Sequence, residues 1–61
     1  MKIIHADGFG EYVTKMDWEN GKPFPDTGPI EKAMKWTDED AQSFMDSLSR
    51  WDRGLFSVEE A

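Results

Sequence analysis

The chain has no cysteine and one histidine in 61 residues. Without thiols, neither a disulfide nor a thiolate zinc site can stiffen a small fold. His5 alone cannot assemble a histidine zinc site, and no histidine-based triad is expected. Bases are few: seven Lys and Arg face thirteen Asp and Glu, for a formal net charge of −6. Phosphate contacts need clustered cations, so neither nucleic acid nor an anionic membrane is expected as a direct partner. No apolar run exceeds a few residues, so no transmembrane helix or signal-peptide core can be drawn. The opening "MKIIHADG", strand-like and interrupted by Asp7, reads as a cytoplasmic start.

What is present is enough to fold. Hydrophobic residues make up 38%, including three Trp, four Phe and one Tyr, which argues against disorder despite 33% charge. The length allows one small domain, residues 1–61. Such a chain buries only about 60% of the surface its unfolded form exposes, so its stability is marginal and a partner or second copy would add to it.

"KIIHADGFGEYVTKMDW" reads as two strands around the turn dipeptide Asp7-Gly8. A two-residue turn pairs Ala6 with Phe9, Ile3 with Tyr12 and Lys2 with Val13; Gly10 marks a bulge that would disturb this register. Then "ENGKPFPDTGP" brings Asn20-Gly21 and prolines at 23, 25 and 29. Proline lacks the N–H of a central strand, so this stretch is loop or edge. "PIEKAMKW" fits a strand through Ile30, Met34 and Trp36, or a helix starting at Pro29 and continuing onward. "LFSVEEA" alternates as a short last strand.

Between Trp36 and Phe44, "KWTDEDAQSF" sets Asp38, Glu39 and Asp40 side by side. They start a helix. Thr37 is the N-cap, accepting from the N–H of Asp40, and the carboxylates sit on the positive end of the helix dipole. Trp36 and Ala41 suit a hydrophobic staple. Ala41, Phe44, Met45, Leu48 and Trp51 form one apolar stripe, Asp46 precedes Arg50 by four residues, and Gly54 ends a helix of about 37–53. The expected fold is α+β: a small antiparallel sheet, a hairpin plus one or two short strands, packed by that helix. The alternative is the hairpin with one long helix, 29–53.

Catalytic or metal chemistry finds little footing. Consecutive carboxylates on a helix start diverge, whereas acid–base pairs need one shielded and one exposed carboxyl in a cleft. "DWENGK" departs from a calcium loop because Gly21 comes one residue early, and it reads better as a hairpin turn. No enzyme activity and no cofactor are expected. The aromatics exceed what one helix on a small sheet can cover. Phe24, held between Pro23 and Pro25, is the first candidate for partner contact, and Trp51 the second. Asp38 and Glu39 are the acids that would meet a basic partner.

The leading expectation is a non-catalytic protein-binding module. One alternative is an acidic DNA mimic acting on a nucleic-acid-binding enzyme, although seven bases dilute its thirteen acids. Another is a structural homo-oligomer, a homodimer being the simplest form. The layout, a hairpin, a strand running into "WTDEDAQSFMDSL" and a short final strand, matched as a pattern over about residues 29 to 61, resembles small accessory proteins of bacteriophages and mobile elements. That resemblance implies an inhibitor or modulator of a host protein, working in the host cytoplasm, and assigns no site residues.

Overall fold

In the computed structural model, which describes residues 1–61, four strands form one antiparallel sheet in the order β3-β2-β1-β4. They are β1 (Lys2–Ala6), β2 (Glu11–Glu19), β3 (Lys22–Gly28) and β4 (Phe56–Glu60). Between β3 and β4 the chain makes a 3-10 turn at Ile30–Lys32 and two helices, α1 (Asp38–Ser47) and α2 (Arg50–Arg53). The fold is α+β, with α1 on one face of the sheet. A continuous helix 29–53 does not form.

The first turn is longer than two residues. His5 pairs with Tyr12 and Ala6 with Glu11, so Asp7–Gly10 is a four-residue connection in which Gly10 takes a positive φ of 67°. The N–H groups of Phe9 and Gly10 both donate to the Ala6 carbonyl. This displaces the expected register by two places, which keeps every side chain on its expected face up to Thr14. At Asn20-Gly21 both residues have positive φ, 53° and 78°, the signature of a type I′ hairpin between β2 and β3.

The third strand lies in 22–28, not in 29–36. Counting from the two-residue turn, the ladder alternates so that Lys22 and Phe24 bond to β2 while Pro23 and Pro25 face outward. Proline costs nothing at an outward position of an edge strand. A bulge between Val13 and Lys15 then gives β2 one extra residue and turns it away from β1.

The space this opens is filled by residues 34–36. The Met34 N–H donates to the Val13 carbonyl, and Trp36 exchanges both backbone hydrogen bonds with Lys2, at 2.7 and 2.8 Å. "PIEKAMKW" is thus neither regular strand nor α-helix. Trp36 also enters the core, a cluster with Ile4, Val13, Ala41, Phe44 and Leu48. Its ring lies 5.4 Å from that of Phe44, which meets Phe56 edge-on at 5.3 Å.

Helix α1 begins as expected: Thr37 Oγ1 accepts from the Asp40 N–H at 3.1 Å, with Asp38, Glu39 and Asp40 in the first turn. It ends earlier than expected. Leu48 is extended (ψ 148°), and Ser49 caps a second helix by accepting from the Asp52 N–H at 3.2 Å. The Ser47 hydroxyl donates back to the Phe44 carbonyl, a local bond that competes with helix continuation. Arg53 turns back so that its Nε donates to the Met45 carbonyl at the end of α1. The expected Asp46–Arg50 pair is absent; Asp46 accepts from Gln42 instead. Gly54 sits at φ −70°, so the stop does not use its left-handed freedom.

Three substitutions at two positions check this account. Thr37→Ala should lower unfolding stability by about 0.5–2 kcal/mol, measured by denaturant melts. Trp36→Ala should cost about 3–5 kcal/mol, whereas Trp36→Phe should cost far less. The reason is that the buried Trp36 Nε1 has no hydrogen-bond partner, and replacing it removes an unsatisfied donor.

Candidate interaction surface

The fold leaves several large apolar side chains outside. Trp51 is 88% exposed, Phe9 77%, Trp18 56% and Phe24 51%. Trp51 was expected on the buried stripe, but the break at Leu48–Ser49 rotates α2 out of phase with α1. Leu48 closes the core and Trp51 stands in solvent. Trp51 and Phe24 are therefore both exposed, and the expectation that Trp51 joins the apolar stripe of α1 is not met.

One concavity stands out, a groove of about 580 Å³ between β3 and the corner joining α1 to α2. Pro23, Phe24 and Pro25 form one side, Ser49 and Asp52 the other, with Leu48 and Phe56 among the apolar residues lining it. The proline strand has little backbone freedom to lose on binding. Trp51 does not line the groove. The helix break, invisible as such in sequence, builds the second wall; its only signal was Ser49, a good N-cap three residues before Asp52.

Asp38 and Glu39 lie at the opposite end of α1. A helix of ten residues spans about 15 Å, so these acids do not belong to the groove. Asp38 does act on Lys2, whose pKa is raised first by its hydrogen bond to Glu60 and least by the Asp38 charge. The proposed site residues thus fall in separate places: Phe24 in the groove, Trp51 on α2, the acids at the start of α1.

On the other face of the sheet the structure assembles a polar group that the sequence did not suggest. His5 and Ser57 are cross-strand neighbours on β1 and β4, and both bond to Asp7. Ser57 Oγ donates to Asp7 Oδ2 at 2.6 Å, and His5 Nδ1 contacts Asp7 Oδ1. The carboxylate stands between hydroxyl and imidazole, whereas an imidazole that deprotonates a serine is itself the central group and bonds to the hydroxyl. Here the group ties the β1–β2 turn to β4. Beside it, the Tyr12 hydroxyl donates to Glu59 Oε1 at 3.1 Å, reaching from β2 across β1 to β4. That reach lays the ring diagonally over β1 near Ile3, which is buried outside the main core. The Tyr12 pKa is raised, first by desolvation and then by Glu59.

Comparison with protein-family models, with characterised protein sequences and with solved structures gives no match to this chain.

Asp7 makes the polar group testable. Its carboxyl is held below the usual value, first by the Ser57 hydroxyl and then by His5. A depressed carboxyl contributes stability above its unfolded pKa, about 3.9, and loses it as pH falls through the lower folded value. Ser57→Ala removes the larger cause, so the Asp7 pKa should rise toward normal by carboxyl NMR titration. The mutant should melt below wild type near neutral pH, and the two curves should converge as pH falls to about 2. A gap that persisted unchanged there would mean that the hydroxyl acts through something other than the Asp7 charge.

Proposed function

We propose that the chain is a non-catalytic protein-binding module, a small inhibitor or modulator whose contact surface comprises the groove behind β3, with Phe24, and the exposed Trp51 on α2. The observation that carries this reading is the groove itself, where the apolar residues Phe24, Leu48 and Phe56 and the prolines of β3 meet the polar residues Lys22, Ser47, Ser49 and Asp52. An apolar centre inside a polar rim is the anatomy of a protein contact, and rigid aromatics are its usual anchors. The cavity is wide enough to receive one or two large side chains from a partner's loop or helix.

The layout of residues 29 to 61 gives the proposal its specific form, a phage- or mobile-element-type accessory protein acting on a host factor in the cytoplasm. Net charge −6 favours a partner whose surface is basic. Asp38 and Glu39, exposed at the far end of α1, would guide such a partner at long range and contribute little once contact is made.

Affinity capture from the cell that encodes the chain, read by mass spectrometry, would identify the partner; titration calorimetry then tests the surface. Phe24→Ala should weaken binding by about 2 kcal/mol or more, with an unchanged melting curve because Phe24 is half exposed. Trp51→Ala, equally harmless to the fold, should also weaken it. Raising salt from about 0.1 to 0.5 M should cost less than about tenfold, since screening leaves apolar contact intact. Affinity that survives both truncations but collapses in salt would favour the DNA-mimic reading instead.

A further inference from the structure

The two edges of the sheet are unlike, and the difference specifies an assembly. On β3 the outward positions 23 and 25 are prolines, so that edge presents no N–H there to an incoming strand. On β4 nothing blocks the edge. The Asp7 N–H bonds to the Leu55 carbonyl and the Ala61 N–H to the Met1 carbonyl, which fixes the alternation of the β1–β4 ladder. Residues 57 and 59 bond inward to β1, and the N–H and C=O of Phe56, Val58 and Glu60 point outward, unpaired. Val58 and the preceding Leu55 are exposed apolar side chains at this edge.

We propose that the occupant of the β4 edge is β4 of a second copy, paired antiparallel about a two-fold axis through Val58. In that register Val58 meets Val58 of the partner subunit, Phe56 faces a glutamate at position 60 and Ser57 a glutamate at 59. No carboxylate stands directly opposite another. Each of the three outward residues then exchanges both backbone hydrogen bonds with its counterpart.

Charge selects the same arrangement. In "RWDRGLFSVEE" the bases Arg50 and Arg53, with Asp52 between them, precede the strand, and Glu59 and Glu60, the latter paired with Lys2 of its own copy, end it. Antiparallel pairing brings the basic end of each copy to the acidic end of the other, whereas parallel pairing would stack glutamate beside glutamate. Arg50 and Arg53 lie on α2, which leads directly into β4 through Gly54 and Leu55. The prolines of β3 then lie at both ends of the joined sheet, so the assembly closes at two copies and does not grow into a filament.

Sedimentation of the purified chain from about 10 μM to 1 mM tests the proposal, with amide exchange by NMR at the same concentrations. The expected result is a monomer–dimer equilibrium in which the amides of Phe56, Val58 and Glu60 gain protection as concentration rises. Val58→Pro removes an N–H that makes no bond within the copy, so the variant should fold normally and dimerise at least about a hundredfold more weakly. Should Val58→Pro fail to fold, Val58→Lys, charged on the same exposed edge, gives the same readout. Pro23→Thr with Pro25→Thr should add species larger than the dimer. A chain that stays monomeric at 1 mM, or a dimer in which those amides exchange as freely as in dilute solution, overturns the proposal. A dimer that survives both Val58 variants does so as well.

Discussion

Where the bulge at Val13–Lys15 carries β2 away from β1, the backbone of Lys2 would lose its partner, and Trp36 supplies both bonds. The same residue then turns its ring onto Phe44, which in turn meets Phe56. One side chain thus joins the connection from β3, helix α1 and strand β4 around a core of few residues. A domain of this size has little redundancy, so the position of α1 over the sheet follows from where Trp36 is anchored. That anchor leaves an indole N–H buried and unpaired, a cost set against the burial of the ring beside Phe44.

Local chemistry made some elements legible and hid others. The start of α1 could be read because a hydroxyl, three acids and an apolar stripe agree on one residue, Thr37. The last strand could be read from the alternation of Phe56 and Val58. Strand β3 was half legible: prolines forbid a central strand and permit an edge, and only the pairing with β2 decides between edge and loop. The break at Leu48–Ser49 was hidden because Trp51 continues the apolar spacing of Ala41, Phe44 and Leu48 and Arg50 follows Asp46 by four residues, so the pattern argued for one helix. A cap at Ser49 and the return of Arg53 to the Met45 carbonyl outweigh that pattern.

The candidate surface was legible in the same uneven way. Phe24 between prolines could be singled out because its rigidity is local. The opposite wall of its groove depends on a helix corner set by tertiary contacts, and no spacing announces it. Trp51 was named for one reason and is exposed for another. The group of His5, Asp7 and Ser57 joins residues fifty positions apart, and pairing of β4 with β1 alone brings them together.

The acids, conspicuous in sequence, are dispersed by the fold. Asp38, Glu39 and Asp40 serve the start of α1, Glu60 pairs with Lys2, Glu59 accepts from Tyr12, and Asp7 from Ser57. On the sheet, Lys15 stands opposite Asp26. A duplex presents one charge per about 1.7 Å along a line, whereas each of these carboxylates is placed by its own local contact. What remains of the net charge is a diffuse field, felt within roughly 8 Å at physiological salt. Such a field repels indiscriminate contact between copies and favours basic surfaces, without setting a register. Register has to come from short-range features, apolar shape at the groove and unpaired backbone at the β4 edge, which meet at Phe56. On the proposed reading the charge therefore governs which surfaces approach, and the backbone and aromatic groups govern which ones stay.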